Sequence, residues 1–458
     1  MHQTSMPLIT DAVRKQLILQ RVHSLDAKHE RVLVPTRSDP NGILCPVISM
    51  PIEELYLNPF SHRIKTQLED DPEWKSVSAD PFSSAAQGIV AKYVKDSRSL
   101  EEFADLKSSL NEEGQTEAGV ITNSGILING NTRAVALSEL VGANKKVIRV
   151  AVLEPDVSEK DIILIEGRLQ LRKEHKVPYK LSNQLRLVED LEESGLSKLD
   201  IAKELRLDSS DAKKAEAMIQ KKLGMLEFLR EASRIPDPPI GLSHFDRSET
   251  EVTEESLGAA FAKYQSIQET GDLEAAYDFQ LNWVLCVLAG VTTVHQLRSV
   301  DQSFLPYALE VMRQDEVLGA HVDSLQPRVT SLDDPDSSSG LARGLIDNLT
   351  ARGSKVELGQ RFKMEKSLFR EALNRSLSLA VQDKRDDDRL AGSQRKPLAL
   401  LEKAQDSIAN CEKLLREDGH RLSQAQMQRF EYLRKRITKD LKNLDKVFEK
   451  KNNLPRGT

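Results

Sequence analysis

Residues 129–133, Asn129-Gly130-Asn131-Thr132-Arg133, stand where an apolar run gives way to a helix-forming one. A glycine at a strand–helix junction lets a backbone amide face an anion with no Cβ in the way. The helix N-terminus adds unpaired N–H groups and the positive end of the helix dipole. Asn129 and Asn131 bring short polar side chains, Thr132 a hydroxyl, and Arg133 a forked cation suited to phosphate oxygens. The chemistry these types point to is phosphate binding. They equally fit a tight turn with a polar cap and a surface arginine, a common arrangement.

Other chemistries lack their residues. Nine histidines form no HxxH or HxxxH pair and no cluster with cysteine, so no zinc site is expected. Cys45, Cys286 and Cys411 lie far apart, with no CxxC and no disulfide framework. No GxxxxGK[ST] occurs, which excludes a P-loop ATPase at motif level. Asp386-Asp387-Asp388, flanked by Lys384, Arg385 and Arg389, reads as a solvated charge run.

The elements around Gly130 can be read from pattern. Ser99 to Glu113 predicts a helix capped by Ser99, with Glu102 at capping-box spacing and Phe103, Leu106 and Leu110 on one face. Gly119–Thr122 and Ile126–Ile128 predict two short strands joined by Asn123-Ser124-Gly125, followed by a helix over Ala134–Val141 that Gly142 ends. Val147–Leu153 predicts another strand. Upstream, residues 9–24 predict a helix, and Arg31–Pro35 with Ile43–Met50 two strands about a turn. Residues 65–98 look like a polar surface insertion.

This arrangement resembles the nucleotide-binding core shared by ParB partition proteins and sulfiredoxin. Pro51 to Arg63, with Ile52, Leu55 and Asn58-Pro59, resembles the family's opening segment. Leu106–Gly114 followed by Val120 resembles its helix and next strand. Gly130, Arg133 and Ala136 fit its Gly-x-x-Arg-x-x-Ala signature. The resemblance covers roughly residues 45–225. It implies a loop that cradles the phosphates of CTP or another nucleoside triphosphate, and a downstream acid, here Glu166, that holds Mg2+. Gly167 stands where the family has Asn. Sulfiredoxin chemistry requires a cysteine where this chain has Asn131, and is excluded. Free-serine kinase chemistry needs a histidine there and is not expected.

Beyond the core, Leu196–Leu205 resembles the first helix of the family's helix-turn-helix, and a second is expected from about Ser210 to Leu223. It offers Lys213, Lys214, Gln220, Lys221 and Lys222 to DNA; Lys positions phosphates and Gln reads bases. Arg206-Leu207 replaces the usual turn glycine, and Glu216 opposes phosphate. An ordinary helical bundle with solvated lysines fits the same pattern.

With 458 residues, about three domains are expected. Charged residues are 30%, aromatics 5%, a balance that suits a helix-rich protein rather than a β-sandwich. The net charge of −6 argues against coating nucleic acid by bulk charge but allows a local basic patch. No apolar run is long enough to span a membrane, and Asp11, Arg14 and Lys15 interrupt any signal-peptide core, so a cytoplasmic protein is expected. Ile235-Pro236-Asp237-Pro238-Pro239 predicts the main domain boundary. The expected layout is an N-terminal helix and β hairpin (1–44) and a ParB/sulfiredoxin-like core (45–155). A helical DNA-binding region (156–234), a helical domain (241–325), a linker (326–340) and a helical segment (341–382) follow. Leu401, Ile408, Leu415 and Leu422 at seven-residue spacing predict a closing coiled-coil-like hairpin (397–451). Its last stretch, Arg429–Arg456, carries ten Lys or Arg against four Asp or Glu, suited to DNA or a dimer seam.

The fold class expected is therefore α+β: a small mixed core followed by mostly helical regions. The leading expectation is a ParB-like nucleotide-dependent DNA-binding protein of partition or regulatory type, with slow or no NTP hydrolysis, acting as a homodimer or larger assembly. Two alternatives stay open: a metal-dependent ParB-like nuclease of a phage-defence or mobile-element system, with Glu166 catalytic, and a non-enzymatic interaction scaffold.

Overall fold

A computed structural model of the protein describes residues 10–319 and 338–388, apart from 27, 37–41, 141–145, 156, 172–178, 206, 208–210, 352 and 359–361, together with scattered helical positions within 430–446. The chain divides into two compact units, Met1–Arg385 and Asp386–Thr458. The expected linker 326–340 falls mostly outside the described residues. So does the C-terminal hairpin, of which only helical positions such as Phe430, Ile437 and Leu441 are described.

Strict alternation of apolar residues builds a two-faced sheet. Its strands are β1 (Arg31–Val34), β2 (Ile43–Pro51), β3 (Tyr56–Leu57), β4 (Gly119–Ile121), β5 (Ile126–Asn129) and β6 (Val147–Val152), in the order β1-β2-β6-β4-β5-β3. β2 runs antiparallel to β1 and β6, and β4 runs parallel to β6 and antiparallel to β5. Short β3 completes the sheet parallel to β5. Ile48, Met50, Ile121, Leu127, Ile148 and Val150 bury on one face. Their alternates Cys45, Val47, Val120, Ile128 and Ala151 bury on the other. Because β1 extends this sheet through β2, the N-terminal hairpin is part of the core rather than a unit beside it.

The first face is covered by α1 (Asp11–His23), α2 (Lys65–Glu69), α3 (Trp74–Ala79), α4 (Ser84–Asp96), α5 (Leu100–Glu112) and α6 (Asn131–Ser138). α5 starts as expected, with Ser99 and Glu102 closing a capping box. The expected surface insertion at 65–98 is instead a structural layer. Leu68, Val77, Ala86, Val90 and Val94 are all buried. The helical stripe Ala86-Val90-Val94 lies between polar residues that dominate the composition and mask the period. The opposite face receives α7 (Glu159–Leu171) through Ile162, Ile165 and Leu169.

α8 (Leu181–Glu193), α9 (Lys198–Glu204) and α10 (Ala212–Arg234) bury Leu187, Val188, Leu191, Ile201, Ala202, Ala215 and Ile219 against one another. α10 runs past the expected end at Leu223, and its second half turns Met225, Phe228, Leu229 and Ala232 into a second, larger core. That core also takes α11 (Glu254–Glu269), α12 (Leu273–Leu288), α13 (Val294–Leu297), α14 (Phe304–Gln314), α15 (Ser338–Thr350), the hairpin β7 (Lys355–Leu358) and β8 (Phe362–Glu365), and α16 over 366–388. Trp283 sits at its centre, 5.0 Å from the Phe228 ring and 5.8 Å from that of Phe245. The proline-rich break ends α10 but does not separate two cores, because these aromatic contacts cross it. Leu345, Ile346, Phe369, Leu373 and Leu377 join the same core, so 241–325 and 341–382 pack as one body. Among the described residues, no helix is long and apolar enough to cross a membrane.

Candidate functional site

Gly130 precedes α6 with φ 105°, in the left-handed region that favours glycine. A Cβ there would also meet the Gly119 Cα at 3.3 Å, where β4 passes β5. The strand–helix junction is therefore fixed by backbone geometry before any ligand is considered. No side chain caps α6. Its first turn presents backbone N–H groups beside a half-buried Arg133, whose guanidinium lies over Gly130 and donates to the Glu117 carbonyl. Burial alone lowers the Arg133 pKa to about 10. No carboxylate pairs with it among the described residues.

The other expected phosphate ligands have different employment. Asn131 is buried and its amide is committed at both ends: Oδ1 accepts from the Asn58 N–H at 2.9 Å and Nδ2 donates to the Leu127 carbonyl at 3.0 Å. Thr132 is buried, and Asn129 closes β5 opposite Val120. Of the expected phosphate ligands, Gly130 and Arg133 remain at the start of α6 without such commitments beyond the Glu117 carbonyl, while Asn131 fastens segment 58–62 to α6.

Glu166, expected as a metal ligand, lies buried in a closed network. Its Oε1 accepts from Ser61 Oγ at 2.6 Å, the His62 N–H at 3.1 Å and the Tyr179 hydroxyl at 3.3 Å. Its Oε2 faces His62 Nδ1 at 2.9 Å. The second ring nitrogen of His62, Nε2, faces Asp190 Oδ2 at 2.7 Å, and Lys65 Nζ binds the same oxygen. An imidazole with a carboxylate on each nitrogen donates to both only when protonated. Burial opposes that charge, but the Glu166 and Asp190 carboxylates outweigh it and raise the His62 pKa above 6.5. Burial likewise pushes Asp190 up, and the hydrogen bonds from His62 and Lys65 overcome it, holding the carboxyl at about 2.

A Mg2+ ion at Glu166 would have to displace Ser61 and His62, so this carboxylate does not fit the metal-holding role. Among the described residues, no group of three or more His, Cys, Asp or Glu is arranged to hold a metal ion. Gly167, where the resemblance expects Asn, faces Leu187 of α8, whose methyls a Cβ there would meet at 3.7 Å, an ordinary contact. Sequence reading missed Ser61, His62, Lys65 and Asp190. The one available signal was a histidine flanked by polar residues just after Asn58-Pro59.

The expected DNA-facing residues separate by position along α10. Lys213, Lys214, Gln220 and Lys221 are exposed on its first half. Asp211 caps the helix by accepting from the Lys213 and Lys214 N–H groups. Gln220 Oε1 accepts from Lys198, so its amide oxygen is engaged within the bundle. Lys222 turns inward, is buried, and pairs with Glu254 of α11; it is a structural ion pair rather than an exposed phosphate contact. Exposed Glu216 interleaves with the lysines. The chain matches no family model, no curated protein and no solved structure.

Proposed function

We propose that the protein binds a nucleoside triphosphate at the α6 N-terminus and DNA at α9–α10, as a ParB-like protein of partition or regulatory type. The observation that carries this reading is the Arg133 guanidinium beside an uncapped helix N-terminus, half-buried and with no carboxylate partner among the described residues. A cation so placed gains most from an anion, and a helix N-terminus offers unpaired N–H groups to the same kind of ligand. Arg133 and the first-turn amides would hold phosphate oxygens, and Gly130 keeps the approach open. A divalent cation enters this reading as the counterion of the phosphates, with Glu166 holding His62 instead. Lys213, Lys214 and Lys221 would meet DNA phosphates, and assembly into a dimer or larger complex belongs to the same reading. The nuclease alternative has no observation in its favour, since its one assigned acid is engaged by Ser61, His62 and Tyr179.

The test is calorimetric titration with CTP, ATP, GTP and UTP in the presence of Mg2+, on wild type and Arg133→Ala. The expected result is binding of one nucleotide, weakened at least about tenfold by the substitution. No binding by folded wild type overturns the reading. For DNA, three lysine contacts imply a slope of log affinity against log salt of about −3.

A further inference from the structure

Four basic side chains gather on the core around Trp283, far in sequence from α6, and neither the nucleotide nor the DNA reading uses them. His244 sits in the short 3-10 turn Leu242–Asp246, and Arg247 follows that turn directly. Lys366 and Arg370 stand four residues apart on α16. The turn is tightly built: Phe245 is buried, the Thr250 hydroxyl donates to the His244 carbonyl, and the Val252 N–H donates to the Phe245 carbonyl at 3.0 Å. α16 is held against the same segment. Phe369 and Leu373 are buried in the core, and Asn374, one turn beyond Arg370, donates to the Ala289 carbonyl at 3.1 Å. A Cβ on Gly290 would meet Asn374 Nδ2 at 3.1 Å and the Glu249 carbonyl at 3.2 Å. The Lys366-Arg370-Asn374 stripe therefore runs along the 244–250 segment.

The Lys366 N–H donates to the Ser354 carbonyl at 2.6 Å, and its Nζ to the Ala351 carbonyl at 2.9 Å, which fixes the start of the stripe. Two atoms of the cluster, His244 Nδ1 and Arg370 Nε, are buried without a hydrogen-bond partner among the described residues. Asp70, the carboxylate that feels the Arg247 charge, is turned to the backbone and accepts from the Ser243 N–H at 2.8 Å. The effect shows at the imidazole. Burial first, then the charges of Arg247, Lys366 and Arg370, hold the His244 pKa at about 4, against the Gly241 carbonyl beside the ring, which favours its proton. The ring is thus neutral near pH 7 with three cations about it. Like charges gathered where water is partly excluded repel one another, and a doubly charged anion among them relieves that repulsion.

We propose that His244, Arg247, Lys366 and Arg370 form a binding site for a phosphate dianion, free or as the monoester of a small molecule. Arg370 and the exposed Arg247 offer forked N–H pairs to the oxygens, Lys366 a point charge, and His244 Nδ1 a further donor. A compact dianion suits cations gathered round one imidazole. The DNA backbone, with its charges spread along the helix axis, suits an exposed row such as the lysines of α10. The site stands independently of Arg133 and of the nucleotide reading.

The experiment is histidine NMR on the full-length protein, with the His244 signal assigned by its loss in His244→Gln, or by its low pKa should that variant not fold. The probes are inorganic phosphate, glycerol phosphate and a short DNA duplex, each against sodium chloride at equal ionic strength. In saturating phosphate or glycerol phosphate the His244 pKa is expected to rise from about 4 to at least about 5, beyond any rise in chloride, because a bound dianion favours the imidazolium. A response to inorganic phosphate alone identifies the free ion as the source; one to glycerol phosphate at equal or lower concentration identifies a monoester. Arg247→Gln, at an exposed position, is expected to weaken phosphate binding at least about fivefold, and Arg133→Ala to leave it within about twofold of wild type. No phosphate-specific rise in folded protein overturns the site, and so does a response to DNA alone. Phosphate affinity unchanged in Arg247→Gln, or lost in Arg133→Ala, overturns it too.

Discussion

Arg133 and His62 are both cations drawn partly or wholly out of water, and what surrounds them differs. His62 has a carboxylate on each ring nitrogen and a shell of further donors around those carboxylates. Arg133 has one backbone carbonyl and its own helix N-terminus. A satisfied network of this kind stabilises one arrangement of the chain and leaves no place for a ligand. A cation without a counter-charge is costly as it stands and favours whatever anion reaches it. Burial and charge alone would rank His62 and Glu166 as the functional pair; counting partners places them in the scaffold and leaves Arg133 as the group on which the proposed binding rests.

The comparison breaks most readily at Glu166. Glu166→Ala leaves a buried imidazolium facing one carboxylate, and is expected to cost about 3–5 kcal/mol in urea denaturation. A loss below about 1 kcal/mol would mean that the network does not hold α7 and α8 to the core. Next in size is the pH response. The His62 pKa is raised, so its contribution is complete below about 6.5, the unfolded value, and is lost as pH rises through the higher folded value. The Asp190 pKa is lowered, so its contribution of about 2 kcal/mol is present above 3.8 and lost as pH falls toward about 2. Denaturation midpoints across pH should therefore peak between about 4 and 6.5, and His62→Gln should flatten the alkaline decline.

Gly130→Ala sharpens the other side of the comparison. A Cβ at φ 105°, pressed toward Gly119, should cost about 1–2 kcal/mol in the same assay and weaken nucleotide binding by disturbing the first turn. Arg133→Ala should have the smallest effect on stability, within about 1 kcal/mol, while removing nucleotide affinity. A large stability loss from Arg133→Ala would place that residue with His62 in the scaffold and erase the distinction.

What could be read from the sequence followed the distance over which each feature is determined. The Ser99–Glu102 capping box, the β4–β5 hairpin and the Gly130 junction all depend on neighbours a few residues away, and each is where pattern placed it. α6 begins at Asn131, three residues earlier than Ala134, because the helix opens directly from Gly130. The His62 partners lie 104 and 128 residues along the chain, beyond any local periodicity. The α4 stripe was hidden by polar composition. β7 and β8 went unread because their alternation spans only four residues each.

α10 belongs to two cores at once, its first half to the bundle with α8 and α9 and its second to the packing around Trp283. At 23 residues it is one continuous helix of about 35 Å, unbroken through Gly224, where the Phe261 ring packs against the backbone. Torque applied at the lysine-bearing end is therefore felt at the Trp283 end. Neither core can melt far without unravelling the helix they share, so the two behave mechanically as one lever on a common axle.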